Sequence, residues 1–255
     1  MPDGSAALED VDNLTPERRR DKIRALAKRY ATVPLSVRTS DLPKRAASGL
    51  VMLVVAGSAI FAGGLIRDLF FAAIGLICFA ELVRLIWRGT RNALGRIVGI
   101  TLGAVYIGYA VWLLMQINSM PVLLLLIGVV IMVDTFAYFF GRSIGGPKIA
   151  PRISPSKTWA GLFGGAVGAT LAVGLPLALN WPPFAGPDAM PSLLLFAPLL
   201  AVVAQAGDFF ESWLKRKAAM KDSSNLIPGH GGVFDRIDGL IPVVIVVGSL
   251  MVFSL

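Results

Sequence analysis

Seven apolar segments, each 17 to 23 residues long, dominate the chain: 46–66, 68–86, 93–115, 121–141, 159–179, 191–210 and 239–255. An α-helix rises 1.5 Å per residue, so about 20 apolar residues cover the ~30 Å hydrocarbon core of a bilayer. A helix buried in a water-soluble domain rarely stays apolar on every face for that length, and seven in succession leave no polar faces for water. Charged residues make up only 16% of the chain, against roughly 25% in soluble domains. The expected fold class is all-α, a polytopic membrane helix bundle of about seven transmembrane helices. The single cysteine, Cys78, lies inside an apolar segment. It excludes an internal disulfide, and with one histidine in the chain an ordinary zinc site is excluded too. Residues 1–45 are polar and lack an apolar central run, so they do not read as a cleaved signal peptide and the N-terminus is expected to stay in place.

Positive charge on short loops orients such a bundle. Of 24 lysines and arginines, ten lie in 1–45, four between the second and third segments, four between the fourth and fifth, and five between the sixth and seventh; only Arg67 sits elsewhere. Seven crossings put 23 of them on one side, so the N-terminus is expected in the cytoplasm and the C-terminus outside. The net charge of +8 is then concentrated where it meets anionic headgroups and phosphorylated substrates, and no nucleic-acid-binding module is present. Within 1–45, "TPERRRDKIRALAKRY" has Thr15 and Pro16 at a helix start and Ile23, Leu26 and Tyr30 at helical spacing. It reads as an amphipathic helix on the inner leaflet or as a solvated basic tail. The domain plan is a cytoplasmic segment, 1–45, and a transmembrane catalytic domain, 46–255, with cytoplasmic loops 142–158 and 211–238.

Ionisable groups at membrane depth cost ~2.5–3.5 kcal/mol near the bilayer centre, so each needs a reason. Glu81 has Arg84 one turn on, which accounts for it as a local pair. Asp134 has no cation within a turn and faces either a polar cavity or a buried helix–helix hydrogen bond. Asp208 and Glu211 sit at the end of the sixth segment, where the helix dipole disfavours carboxylates. Glu211 has Lys215 at i+4, whereas Asp208 has no cation at i+3 or i+4 and is the better candidate ligand. Asp235 and Asp238 share a helix face near the start of the seventh segment. Together with Asp208 they make a hard-oxygen pocket of the kind that takes Mg²⁺.

Between these carboxylates lies "IPGHGG". Gly229, Gly231 and Gly232 suit a backbone nest for an anion, Lys215, Arg216 and Lys221 can neutralise a polyphosphate, and His230 can donate to it. The loop "GRSIGGPKIAPRISPSKTWAG" repeats the theme, with Ser154, Lys157 and Thr158 just before a helix. They suit phosphate binding; alternatively Ser156 or Thr158 caps that helix and Trp159 anchors it at the interface.

The run "SWLKRKAAMKDSSNLIPGHGGVFDRID", Ser212 to Asp238, resembles the signature of the phosphatidate cytidylyltransferases, the CDP-diacylglycerol synthases: S-x-x-K-R, four residues, K-D, P-x-H-G-G, x-x-D-R-x-D. "DTFAYFFGR" and "SPSKTWAG" are similar to segments upstream of it in that family, with Ser156 and Ala160 in place of a lysine and a glutamate. The resemblance spans Asp134 to Asp238. It implies transfer of CMP from CTP to phosphatidic acid, giving CDP-diacylglycerol and pyrophosphate, in a bacterial inner membrane with the active site facing the cytoplasm. It implies Mg²⁺ on Asp208, Asp235 and Asp238, with a second cation such as K⁺ beside it, and catalytic roles for those aspartates with Lys221 and His230. Ser212, Lys215, Arg216, Asp222, Gly231, Gly232 and Arg236 then join Ser154, Lys157, Thr158 and Asp134 in binding substrates. Partners are CTP, phosphatidic acid and membrane lipids; homo-oligomerisation stays open. A CTP-dependent lipid kinase and a membrane transporter are the rival readings.

Overall fold

The computed structural model describes residues 42–179 and 190–253. The basic "TPERRRDKIRALAKRY" stretch, and nearly all of the loop before the sixth segment, lie outside the described residues. The chain divides into two compact units, 1–49 and 50–255, and the first is described only where α1 begins.

The elements run α1 (Leu42–Ala62), α2 (Gly64–Gly89), α3 (Ala93–Gln116), α4 (Met120–Ser143), β1 (Lys148–Ala150), β2 (Ser154–Thr158), α5 (Trp159–Ala178), α6 (Met190–Lys217), α7 (Phe234–Ile237) and α8 (Leu240–Phe253). The chain is a polytopic helical bundle, as expected. Five helices, α2 to α6, are long and apolar enough to cross a membrane; the apolar part of α1, Ala46–Ala62, and α8 are shorter. The first segment, read as 46–66, is broken: Gly63 and Gly64 take positive φ of 64° and 50°, a conformation open to glycine, so α1 stops at Ala62. The last segment, read as 239–255, is the single helix α8, and the one-turn α7 stands just before it. The one addition to helix among the described residues is an antiparallel hairpin, β1 with β2, pairing Lys148 with Thr158 and Ala150 with Ser154. It lies in the loop that carries Ser154, Lys157 and Thr158.

Lipid is as apolar as leucine, so close fit rather than burial of oily surface draws membrane helices together, and small residues permit it. The packing of α4 on α5 follows this rule. A Cβ on Gly164 would stand 2.7 Å from the Phe136 carbonyl oxygen, and one on Gly168 would collide with that of Met132. The outward faces keep Leu53, Phe61, Leu65 and Leu195 exposed, the surface a bilayer covers. Inside, Cys78, Leu82 and Leu85 of α2, Leu113 of α3, Val133 of α4 and Val243 and Val244 of α8 are fully buried. Tyr109 of α3 meets Ser249 of α8 at 2.8 Å.

Arg67, the basic residue that fell outside the charge pattern, is buried at the start of α2. Its guanidinium donates to the Ile117 carbonyl at 2.9 Å, the Met115 carbonyl at 3.3 Å, Asn118 Oδ1 at 3.2 Å and Asp68 Oδ1 at 2.8 Å. It ties the start of α2 to the end of α3. The C-terminal ends of α4 and α6 gather with the hairpin and α7, and the polar residues collect there.

Candidate active site

Along α6, Gln205, Asp208, Ser212 and Lys215 recur at three- and four-residue spacing, which places them on one face. The stripe is roughly 15 Å long at helical rise, and it forms one wall of a cavity of about 610 Å³. Asp134, Tyr138 and Arg142 of α4 stand in the wall with Lys148, Ser154, Lys157 and Thr158 of the hairpin; Asp222, Asp235, Arg236 and Asp238 close it. Thus eleven of the residues assigned from sequence to substrates or metal line one cavity: Asp134, Ser154, Lys157, Thr158, Asp208, Ser212, Lys215, Asp222, Asp235, Arg236 and Asp238.

The stripe stands close to α7 because Gly207 has no side chain: a Cβ there would run into the Asp238 carbonyl oxygen. Asp208 does have a cation, Lys157, which comes from β2 and pairs with its Oδ2. Sequence neighbours could not reveal this partner, 51 residues away. Among the described residues Asp238 has no basic partner in hydrogen-bond range; its Oδ1 accepts from the Gly239 N–H at 2.9 Å. Burial, and then the charge of Asp208, push its carboxyl up to about 7. Thr158 caps α5, accepting from the Gly161 N–H at 3.0 Å, so the capping alternative describes its oxygen.

Asp235 is differently placed. Its Oδ1 accepts from Lys215 Nζ at 2.7 Å, and its Oδ2 accepts from the Ser223 N–H, the Ser223 hydroxyl and the Gly232 N–H at 2.9, 2.9 and 2.8 Å. Burial alone would raise its carboxyl, but the Glu211 and Lys215 side chains and the Gly232 N–H outweigh it and hold Asp235 below the usual carboxylate range. Lys215 also pairs with Glu211 at i−4, 2.5 Å away.

Glu81 is the residue that sequence reading underrated. Instead of pairing with Arg84, its carboxylate is buried and accepts four hydrogen bonds from the loop before α8. Ser224 Oγ donates at 2.5 Å and the Val233 N–H at 3.2 Å to Oε1, while Ser223 Oγ donates at 3.1 Å and the Phe234 N–H at 2.7 Å to Oε2. Gly232 makes room for it, since a Cβ would stand 2.6 Å from Oε1 and would also meet the Ser223 hydroxyl. The N–H groups at 232, 233 and 234 therefore point to protein carboxylates, a use different from the expected anion nest. Gly231 has φ 82° and accepts from the Ile227 N–H through its carbonyl at 2.8 Å. Arg216, Lys221, His230, Gly231 and Gly232 are not among the residues lining the cavity; Arg216 donates to the Ile153 carbonyl at 3.3 Å.

Gln205 was missed as well. It is buried in the cavity wall, and neither its Nε2 nor its Oε1 has a partner among the described residues; Glu211 Oε1 is alike in this. No three His, Cys, Asp or Glu side chains among the described residues form a ready cage for a metal. Asp208 and Asp238 nonetheless fit Mg²⁺, which usually takes one or two carboxylates and completes its shell with water and substrate phosphates. Two neighbouring carboxylates, one without a cation, are the donor chemistry such an ion relieves.

The model of the cytidylyltransferase family matches residues 82–254. The chain is 51% identical over 116 residues to the phosphatidate cytidylyltransferase of Brucella abortus biovar 1, a match covering 46% of this chain and 41% of that protein. It is 35% identical over 210 residues to the phosphatidate cytidylyltransferase of Rickettsia bellii, covering 79% of this chain and 87% of that one. A 38% match over 148 residues to the protein of the same name in Rickettsia prowazekii covers 57% and 64%. With the family model matching more than half of its length and a relative aligned over most of both chains, the chain belongs to the cytidylyltransferase family.

Proposed function

We propose that the protein transfers CMP from CTP to phosphatidic acid, releasing pyrophosphate and leaving CDP-diacylglycerol in the membrane. One observation carries this: the Ser212–Asp238 signature of α6, its loop and α7 folds beside a polar cavity at one end of an apolar bundle, where a membrane lipid and a water-soluble nucleotide can meet. The relatives' name agrees with it.

In the reaction a phosphate oxygen of phosphatidic acid bonds to the α-phosphorus of CTP, and the bond from that phosphorus to the bridging oxygen of pyrophosphate breaks. A phosphate monoester is already an anionic nucleophile at neutral pH, so the protein needs to position and neutralise charge rather than remove a proton. Arg142, Lys148 and Arg236 in the cavity wall suit the nucleotide phosphates, and Lys157 and Lys215 bring cations that carboxylates hold in place. Asp208 and Asp238 are the residues we assign to Mg²⁺, and the oxygens of Asp235 serve the loop. Bound there, Mg²⁺ would offset phosphate charge as it develops on the leaving group. The clustering of lysine and arginine at this end supports a cytoplasmic orientation by the positive-inside rule.

Purified protein in detergent, given CTP, phosphatidic acid and Mg²⁺, is expected to release pyrophosphate and to attach CMP to lipid. Absence of pyrophosphate under every cation condition would overturn the proposal. Free CDP with a newly phosphorylated lipid would identify a kinase instead.

A further inference from the structure

Glu81 stands in a helix otherwise apolar for most of its length, only 5% exposed, yet its partners come from 142 to 153 residues away. The single-turn helix α7 has no side-chain cap of its own. Its entering N–H groups, Val233 and Phe234, end on Glu81, so a carboxylate from another helix caps it. Each oxygen takes one backbone N–H, and a backbone N–H can only donate. Both oxygens must therefore be acceptors. A carboxylate meets that demand, whereas an isosteric carboxamide turns an NH₂ toward an N–H in either orientation.

The contact passes onward through Ser223, whose hydroxyl lies 3.1 Å from Glu81 Oε2 and 2.9 Å from Asp235 Oδ2. It has one proton and serves one carboxylate at a time. Asp235 in turn holds Lys215 in the cavity wall. We propose that Glu81 is a positioning residue for CMP transfer: by holding Ser223, Ser224 and the start of α7, it fixes the seat of Asp235 and, through Asp235, of Lys215. This rests on the function proposed above, in which Lys215 brings a cation to the cavity that takes CTP.

The test compares wild type with Glu81→Gln by two independent measurements. Amide hydrogen exchange in the full-length protein is expected to accelerate at least about tenfold across 223–235 in the variant, with α4 and α5 unchanged. Steady-state kinetics are expected to show a CTP KM raised about tenfold and a lower kcat, with the phosphatidic acid KM held. A merely structural role would shrink the active fraction, lowering kcat and leaving both KM values alone. Ser224→Ala keeps both backbone bonds and is expected to raise the CTP KM about two- to threefold, a smaller effect because only one of the bonds to Glu81 is lost; it serves if Glu81→Gln does not fold. Unchanged loop exchange, or an unchanged CTP KM in both variants, overturns the inference. A wild type inactive toward CTP and phosphatidic acid defeats only the functional reading, and exchange across 223–235 still decides whether Glu81 positions the loop.

Discussion

Two polar assemblies lie on either side of the loop between α6 and α8, and they differ in how completely they are satisfied. In the knot around Glu81 and Asp235, seven donors meet the two carboxylates, the Ser223 hydroxyl lying within reach of both. In the cavity wall, among the described residues, Asp238 accepts a backbone bond from Gly239 and has no hydrogen-bonded cation, and Gln205 has no partner. Buried polar groups that are fully paired specify a fold, while each left open costs it about 1–3 kcal/mol. The contrast separates a region built to hold shape from one built to receive something charged or polar.

The largest effect is expected in the knot. Asp235→Ala leaves Lys215 with Glu211 alone and removes the acceptor for Ser223 and Gly232, so unfolding in detergent should show a loss of about 3–5 kcal/mol. A variant that keeps wild-type stability and loses only turnover would move Asp235 into the other region and restore it as a metal ligand.

Asp208→Asn and Asp238→Asn should behave in the opposite way. Each is expected to lower turnover on the order of a hundredfold or more; in Asp238→Asn the thermal midpoint in the absence of Mg²⁺ holds or rises, because removing that carboxylate relieves its repulsion with Asp208, whereas in Asp208→Asn the same relief is offset by loss of the Lys157 pair. Near-normal turnover in either variant erases the distinction. Asp238 also sets a pH dependence. Its carboxyl lies at about 7, above the unfolded value, so the ligand-free fold holds the proton more tightly than the unfolded chain. The stability this contributes is full below the ordinary carboxylate range and is lost as pH rises through about 7. A metal needs the deprotonated form, so the Mg²⁺ concentration for half-maximal activity should fall up to about tenfold per pH unit on approaching 7 and level off above it. In Asp238→Asn that slope should vanish.

The parts of this arrangement legible in sequence are those coded locally. Apolar length announced the bundle, and the 27-residue run at Ser212–Asp238 announced the signature, because their information sits within a few turns of chain. The Lys157–Asp208 pair joins residues 51 apart, and no spacing rule reaches that far. Glu81 was misread for the same reason: Arg84 is near in sequence, but the true partners arrive from beyond four other helices. The break at Gly63 was hidden because apolarity runs on through it, and only the positive φ of two adjacent glycines reveals it. Gly232 was noticed for what its backbone could offer an anion, whereas its lack of a side chain is what admits Glu81.

The smallest effect tests the cavity side by itself. Gln205→Leu replaces the side chain by one of similar size and removes two polar atoms that find no partner among the described residues. Because an unpaired buried amide costs the fold, the variant is expected to be about 1 kcal/mol more stable than wild type, read as a higher thermal midpoint in detergent without substrates. Saturating CTP and phosphatidic acid stabilise the wild type through binding to the folded state, and if the Gln205 amide meets a substrate, this increment should shrink in the variant. A destabilised Gln205→Leu would mean that the amide is already satisfied in the empty protein, by water or by a shift of its neighbours. Gln205 would then belong with Glu81 and Asp235 among the groups that hold the fold, and the boundary between the two regions would fall along α6 between Gln205 and Asp208.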